Sequence, residues 1–324
     1  MFLGHRKLSA WYQQLAQHLD AGIPLAAALH VSQGTGPSAA SLAAMAETIE
    51  RGGTVDEALR SASAWLPPAD LLALGAAAHA GRMPRTLRNL AARHEQLGGA
   101  KLRLVMASLY PLGILHFGLL LLPVVRMIDW EKGFHWSAAA YVRTLAFTLV
   151  PLWMLAVVLL ILARRRNVVL AKLVGLLPAI GNYIRTQALA DFSFTLGNLL
   201  EAGVPIGQAW SATGLISSSR SLKSAAVSMA DTVEHGRAPG SQLDAWPCFP
   251  ADFVALYRTG ESTGQLESNL LRLATHHQDA ANRALGVATV IYPMLLFLIV
   301  AAGIAYFVIS IYAGYLKALG ELAK

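Results

Sequence analysis

Three long, strongly apolar stretches of the sequence, each without Asp, Glu, Lys or Arg, restrict the possible folds more than any other feature. They cover residues 104–125, 145–163 and 287–312, which are 22, 19 and 26 residues long. An α-helix rises 1.5 Å per residue and the hydrocarbon core of a bilayer is about 30 Å thick, so roughly 20 apolar residues suffice to cross it. We therefore predict three transmembrane helices.

The composition agrees with a membrane protein and disfavours other classes. Charged residues make up 14% of the chain and hydrophobic residues 55%, whereas an ordinary soluble domain carries about 25% charged residues. The net charge is +7. The basic residues flank the apolar stretches and form no tract with interleaved aromatic residues, so nucleic-acid binding is not expected. The single cysteine, Cys248, cannot form an internal disulfide or a cysteine-based zinc cluster.

The sequence also contains an internal repeat. The segment LSAWYQQLAQHLDAGIPLAAA, which starts at Leu8, resembles LADFSFTLGNLLEAGVPIGQA, which starts at Leu189. The similarity continues at offsets of 181 to 184 residues and reaches the first and third apolar stretches. The matched pairs include Gly22 with Gly203, Pro24 with Pro205, Gly52 with Gly236, Asp70 with Asp252, Gly81 with Gly264, His94 with His277, Tyr110 with Tyr292 and Pro111 with Pro293. A repeat of this kind indicates one structural unit present twice.

Start and stop signals predict six helices in each copy. In the first copy they are expected at residues 7–20, from 24, 38–51, from 54, 68–80 and 84–97. Gly22 is available for a left-handed cap after the first helix, and Pro24 suits the first turn of the second. Thr54 and Glu57 have the spacing of a capping box. No stretch of alternating β-branched residues competes. The predicted fold class is an all-α membrane protein with two homologous six-helix bundles and three transmembrane helices.

Charge and parity predict the topology. Two membrane helices separate the copies, so both copies lie on one side of the membrane. The basic residues that flank the spans on that side are Lys101, Arg103, Arg164, Arg165, Arg166 and Arg283. The positive-inside rule makes that side cytoplasmic. The predicted order is a first cytoplasmic bundle (1–103), a transmembrane helix (104–128), a short periplasmic loop (129–144), a second transmembrane helix (145–163), a second cytoplasmic bundle (164–286), a third transmembrane helix (287–312) and a periplasmic tail (313–324). The amino terminus is expected in the cytoplasm.

The sequence contains no recognisable active site. His116 is the one ionisable residue inside a predicted span, and such a histidine more often bonds a neighbouring helix than relays protons. The pairs His94-Glu95 and His276-His277 lack the spacing of a helical zinc protease. We interpret both pairs as surface positions and expect His276 and His277 on different helix faces. No catalytic residue, metal or cofactor is predicted, and the chain is not expected to be an enzyme.

Two local motifs remain. The GESTG segment at residues 260–264 lacks the lysine of a phosphate-binding loop and is predicted to be a turn between helices. Counted back from Gly81, Glu261 has no counterpart in the first copy, which makes it a candidate partner contact; the alternative is a solvated or capping glutamate. The Tyr-Pro pairs at residues 110–111 and 292–293 lie near the cytoplasmic ends of their spans and are predicted to bend the helices there.

These motifs together resemble one protein family. AG-x-P follows the first helix of both copies, FP-A-D occupies residues 249–252 and GESTG-x-L occupies residues 260–266. Their order, with the doubled unit and three spans, resembles the type II secretion system protein F family from residue 8 to about residue 311. The resemblance implies an inner-membrane platform protein of a type II secretion system or a type IV pilus-like machine, without catalysis of its own.

The resemblance also implies partners. They are a cytoplasmic assembly ATPase, other inner-membrane components of the machine, pilin or pseudopilin subunits, and further copies of the chain. Glu261, Gly264, Gly203 and Pro205 are the leading candidate partner-binding residues, and Gly22, Pro24, Tyr110, Pro111, Tyr292 and Pro293 mark the repeat. Two rival classes would need other features. A transporter or channel subunit needs polar residues along the spans, and an intramembrane enzyme needs several ionisable groups at one depth.

Overall fold

A computed structural model of the protein describes residues 3–32, 34, 36–125, 127–129, 133–164, 175 and 177–322. Over these residues the architecture is almost entirely helical, as the sequence predicts. The chain forms two compact units. The first unit joins Met1–Lys101 with Tyr183–Arg283 and contains both copies of the repeat, while the second joins Leu102–Asn182 with Ala284–Lys324 and contains the apolar segments.

The first copy contains the six predicted helices. They are α1 (His5–Asp20), α2 (Leu25–Val31), α3 (Ala39–Glu50), α4 (Val55–Ser61), α5 (Pro68–His79) and α6 (Met83–Val125). The capping box is confirmed: the Thr54 hydroxyl accepts from the Glu57 N–H at 3.2 Å, and the Glu57 carboxylate accepts from the Thr54 N–H at 2.9 Å. Pro24 is the residue just before α2 rather than within its first turn. The α6 helix continues without a break into the apolar stretch.

The second copy follows the same order with one difference. Its α-helices are α8 (Ile180–Glu201), α9 (Ile206–Ile216), α10 (Arg220–Glu234), α11 (Ala251–Thr263) and α12 (Leu266–Leu322). The segment equivalent to α4 forms two 3₁₀ turns instead, Pro239–Ser241 and Leu243–Ala245. The prediction of a full fourth helix in this copy is therefore wrong. Pro239 and Gly240 stand where the first copy has its helix-initiating residues, and a proline followed by glycine favours a turn over a continued helix.

The repeat is visible in the backbone. Three glycines in each copy have left-handed φ angles at matched positions: Gly22 with Gly203 (78° and 83°), Gly52 with Gly236 (83° and 72°) and Gly81 with Gly264 (67° and 69°). Each follows a helix, where a residue without a Cβ atom takes this conformation at little cost. The prediction of glycine caps is confirmed, and the caps recur in both copies.

Each copy has its own hydrophobic core. In the first, Trp11 and Leu15 of α1 pack with Leu74 and Leu87 of α5 and α6. In the second, the largest fully buried side chains are Trp210, Phe253 and Tyr257. The Trp210 indole N–H donates to the Tyr257 hydroxyl at 3.0 Å, so the polar atoms of both rings are satisfied inside the core.

The second unit carries the apolar helices. The α7 helix spans Ala138–Arg164, and a short antiparallel pair, β1 (Ile128–Asp129) with β2 (Gly133–Phe134), precedes it. Among the described residues, two helices are long and apolar enough to cross a membrane, within Ala138–Leu159 and within Leu266–Gly303, with mean hydropathies of 2.0 and 2.4. None of the first of these segments is buried, which distinguishes it from the core helix of a soluble protein.

The described part of the first predicted span is too short to count as a membrane-crossing helix. The helix α6 covers it, and a described apolar run extends over Leu112–Leu121. Three membrane crossings therefore stay a prediction. Some residues used for the topology prediction, Arg165 and Arg166 among them, lie outside the described residues. The α12 helix continues through Pro293, and the predicted bend at the Tyr-Pro pairs is untested.

Candidate functional site

An aspartate near the start of the fifth helix meets a histidine of the sixth helix in the first copy. The Asp70 carboxylate accepts from the His94 Nε2–H at 2.7 Å and from the Tyr12 hydroxyl at 2.7 Å. The other ring nitrogen of His94 lies 2.8 Å from Nδ1 of His5. Asp70 and His94 are 5% and 4% exposed. One buried carboxylate thus joins α1, α5 and α6 through hydrogen bonds, which are stronger when the acceptor is ionised.

Burial of this network changes the acidity of Tyr12. Desolvation raises the pKa of the Tyr12 hydroxyl well above its ordinary value, and the negative charge of Asp70 and the hydrogen bond to it act in the same direction. The tyrosine therefore stays protonated across the ordinary pH range, and its hydroxyl donates a hydrogen bond to Asp70.

The second copy places an equivalent aspartate and histidine together but arranges them differently. Oδ2 of Asp252, in the first turn of α11, lies 3.8 Å from Nε2 of His277 and 3.3 Å from Nε2 of His276, both on α12. At the repeat position of Tyr12 stands Ser193, whose hydroxyl donates to the Leu189 carbonyl at 2.8 Å. At this repeat position the second copy therefore has no tyrosine hydroxyl to donate a hydrogen bond to the carboxylate of Asp252.

Two interpretations of the histidine pairs change. His94 and His277 are buried, not surface residues. His276 and His277 do occupy different faces, one exposed and one buried, yet both imidazoles reach the carboxylate of Asp252. Sequence reasoning missed these contacts, although a signal was present: Asp70 with Asp252 and His94 with His277 are matched ionisable residues of the repeat.

The two copies meet through polar side chains within the first unit. The buried Arg93 guanidinium on α6 pairs with the Asp191 carboxylate on α8 and donates to Gln278 Oε1 at 3.3 Å. It also lies over the Phe194 ring, 4.7 Å from the centroid. Burial lowers the pKa of Arg93 to about 10, and the charge of Asp70 opposes that shift. The guanidinium stays charged at neutral pH and links the copies by charge-assisted bonds.

A second polar cluster connects the same two helices. Glu201, at the end of α8, is 3% exposed. Its carboxylate pairs with the Arg85 guanidinium and accepts from Asn89 Nδ2 at 3.0 Å. Arg82 donates to the Glu201 backbone carbonyl. A buried carboxylate that must find its partners on the other copy defines one relative arrangement of the copies more than it adds stability.

The structure places the four predicted partner-binding residues at two helix ends. Gly203 and Pro205 lie between α8 and α9, and Gly264 is the exposed left-handed cap of α11. The predicted turn over residues 260–264 is therefore wrong for residues 260–263, which form the end of α11. Glu261 is partly buried, and its carboxylate accepts from the Gly240 N–H at 3.2 Å. It therefore holds the 3₁₀ turn that replaces a fourth helix.

Glu261 does have a counterpart in the first copy. It follows Asp252 by nine residues, as His79 follows Asp70. The His79 imidazole contacts the Asp56 carboxylate of α4 at 2.7 Å. In both copies, therefore, a side chain near the end of the fifth helix contacts the fourth segment. Counting from the glycine cap hid the equivalence because α11 is one residue longer than α5, with 13 residues against 12.

Within the second unit, His116 bonds its own helix rather than a neighbouring one. Its Nδ1–H donates to the Leu112 carbonyl at 2.7 Å, and its ring contacts the Trp153 ring of α7 at 5.6 Å between centroids. The Tyr292 hydroxyl donates to the Pro178 carbonyl at 2.7 Å, while Tyr110 is 74% exposed. The matched tyrosines therefore have different surroundings in this structure.

A comparison with sequence models of protein families shows to which family the chain belongs. The sequence model of the type II secretion system protein F family matches residues 11–128 and 192–314. The chain belongs to this family. Each matched segment contains one copy of the helical repeat and the apolar part of its last helix, while α7 lies between the two segments. The family match thus divides the chain as the internal repeat does.

Three named relatives match this chain over most of its length and most of their own. The type 4 fimbrial assembly protein PilC of Pseudomonas putida is 27% identical, covering 93% of this chain and 80% of the relative. The type II secretion system protein F of Pseudomonas aeruginosa is 25% identical over 95% and 82% of the two chains. The type IV pilus assembly protein PilC of Myxococcus xanthus is 24% identical over 96% and 80%. Relatives of this chain are thus named for both secretion and pilus assembly.

Proposed function

We propose that this protein is a non-catalytic platform in the inner membrane of a type II secretion system or type IV pilus-like machine. The observation that carries the proposal is the doubled family segment, in which a helical copy with its own core leads directly into an apolar helix. Relatives named for fimbrial assembly, secretion and pilus assembly support the class of machine. In this role the chain transmits the motion of a cytoplasmic assembly ATPase to pilin or pseudopilin subunits.

The proposed topology has three spans, with both helical bundles in the cytoplasm. The exposed apolar side chains of α7 and α12 support it: Phe147 and Tyr306 are 83% and 76% exposed, which is unfavourable in water and favourable in lipid. Reporter fusions test the arrangement. A reporter active only in the cytoplasm should work at residues 60 and 230 and fail at residue 136. A periplasm-active reporter working at residue 60 or 230 would refute the topology.

The polar contacts between the copies suit a platform that must keep its shape under load. The buried Arg93 and Glu201 each find partners on the other copy, so the two bundles can move as one body in the machine. Other copies of the chain and the remaining inner-membrane components complete the platform in this proposal.

The second copy is the proposed contact surface for the ATPase. Gly264, Gly203 and Pro205 shape two exposed turns there, and Glu261 supplies a carboxylate beside one of them. The detergent-solubilised full chain should capture the cytoplasmic assembly ATPase of its machine. Glu261→Lys should reduce that capture and fibre or secretion output while the protein level stays normal.

Two further variants separate recognition from folding. Glu261→Gln keeps an oxygen acceptor for the Gly240 N–H but removes the charge, so it should lose ATPase capture without loss of thermal stability. Glu234→Lys makes the same charge change at an exposed position of α10 and should behave like the wild type. Normal assembly with Glu261→Lys removes this residue from the interface, and solute flux through proteoliposomes of the pure chain would favour a transporter instead.

A further inference from the structure

We propose that Asp252, His276 and His277 form a binding site for a divalent transition-metal ion of the zinc class in the second copy. Each residue offers one ligand atom, and the three atoms lie within 4.8 Å of one another. Two imidazole nitrogens and one carboxylate oxygen are a donor set that proteins use for zinc. The site lies outside the residues assigned to partner binding and does not depend on the proposed platform role.

The two distances from the carboxylate to the imidazoles are close to those that a tetrahedral ion requires. Bonds of about 2.0–2.2 Å place neighbouring ligand atoms about 3.4 Å apart. Oδ2 of Asp252 lies 3.3 Å from Nε2 of His276 and 3.8 Å from Nε2 of His277. The side chain of His276 is 60% exposed, so its imidazole can rotate by the small amount needed to close around an ion.

A second observation points to a ligand at the same place. The Nε2 atom of His277 is buried and has no hydrogen-bond partner among the described residues, although buried polar atoms are nearly always satisfied. A metal ion bound to this nitrogen would give the buried atom a partner.

The backbone holds the carboxylate in a suitable orientation. Oδ1 of Asp252 accepts from the Phe253 N–H at 2.9 Å, which leaves Oδ2 directed to the histidines. Partners of this kind orient metal ligands and strengthen binding. The ion would connect the start of α11 to α12, the two helices that meet at the Gly264 turn.

The first copy provides an internal comparison. The repeat offset that matches His94 with His277 places Arg93 opposite His276. Oδ2 of Asp70 already accepts from Tyr12 and His94, while Arg93 pairs with Asp191. The first copy thus has a guanidinium where the second copy has the imidazole of His276, and the oxygen equivalent to the proposed ligand is already hydrogen-bonded. The hydrogen-bonded network of one copy corresponds to the metal site of the other.

The donor set selects the class of ion. Calcium and magnesium prefer oxygen ligands, whereas imidazole suits zinc, nickel and cobalt. Three protein ligands leave at least one coordination position on the exposed side of His276, which water or a side chain of a neighbouring protein can occupy.

Titration of the full chain in detergent, after chelator treatment, tests the site. Competition with a chromogenic zinc chelator should give one tight Zn²⁺ equivalent per chain, and Co²⁺ should produce the visible absorption of a tetrahedral site. His276→Gln should weaken Zn²⁺ binding about tenfold or more, because even indirect ligand changes cost that much. His235→Gln is the matched control, since His235 also faces an aspartate, Asp231, on the surface, and it should bind like the wild type.

Folding and binding can be separated. His276 is largely exposed, so His276→Gln should retain the wild-type circular dichroism and melting temperature without metal. Asp252→Asn supplies an independent second variant with the same expected loss of affinity. Equal Zn²⁺ affinity in wild type, His276→Gln and Asp252→Asn would overturn the proposal, as would absence of a Co²⁺ spectrum in the wild type. Neither result would bear on ATPase capture, so the platform role is judged separately.

Discussion

Oδ2 of Asp70 lies 2.7 Å from Nε2 of His94 in the interior of the first copy, and the Tyr12 hydroxyl donates to the same oxygen. The two donors lie 82 positions apart in the sequence, so this contact forms only when α1, α5 and α6 are assembled together.

Removal of the Asp70 carboxylate should destabilise the protein strongly. In Asp70→Ala the Tyr12 hydroxyl and the His94 N–H lose their acceptor inside the core, which we expect to cost at least about 2 kcal/mol in the free energy of unfolding. Thermal and denaturant unfolding of the detergent-solubilised chain measures the loss. Glu47→Ala removes an exposed partner of Arg51 and should change stability by less than about 0.5 kcal/mol. Equal effects of the two variants would contradict the prediction.

Stability should fall in alkaline solution through Tyr12. Its pKa is raised in the folded chain, whereas it ionises near pH 10 when unfolded. Above pH 10 the folded state therefore holds more protons than the unfolded state, so the free energy of unfolding decreases as the pH rises. The contribution is complete below pH 10 and is lost above it.

Tyr12→Phe should reduce the decrease in stability between pH 9 and pH 11. Tyr257, whose pKa burial also raises, keeps part of the slope in this variant. Chemical denaturation at fixed ionic strength, repeated across this pH interval, gives the slope for each protein. Identical slopes for the variant and the wild type would mean that Tyr12 does not contribute.

The matched caps should respond alike to substitution. Gly22→Ala and Gly203→Ala force a side chain into the left-handed conformation and should each cost about 1 kcal/mol. Gly99 lies inside α6, has an ordinary φ and open space around it. Gly99→Ala should stabilise the protein by about 0.5–1 kcal/mol. The opposite signs, measured by thermal unfolding, distinguish backbone strain from a general effect of added methyl groups.

The contact between the copies depends on Asp191. In Asp191→Asn the buried Arg93 keeps Gln278 as an acceptor but loses its carboxylate, and we expect a loss of about 1–3 kcal/mol, reduced by the 50% exposure of the Asp191 side chain. Limited proteolysis should then cut between the copies more quickly. Asp231→Asn changes an exposed aspartate that faces His235 and serves as the matched control; faster cleavage in both variants would remove Asp191 from the interface.

Much of the architecture was predictable because it rests on local signals. The glycine caps at Gly22 and Gly203 follow from the restriction that a Cβ atom places on positive φ, and the capping box at Thr54 follows from a spacing of three residues. The fourth segment of the second copy was mispredicted because homology with α4 outweighed the local meaning of Pro239 and Gly240.

The site was less predictable for the same physical reason. The sequence showed that the aspartates and histidines are matched between the copies. It did not show that His94 and His277 are buried, because a histidine next to a glutamate or another histidine indicates an exposed polar position. The partner of Glu261 was missed because it lies 21 residues away in a turn whose structure the sequence did not reveal.

The sequence by itself determined the class of this protein: a doubled helical unit with left-handed glycine caps and long apolar helices, since helix boundaries and hydrophobicity depend on residues near one another in the chain. Only the tertiary structure decided that Tyr12 donates a hydrogen bond to the carboxylate of Asp70, whereas His276 and His277 both lie near the carboxylate of Asp252. Those contacts join residues 24 or more positions apart, and which of them face each other depends on how whole helices pack.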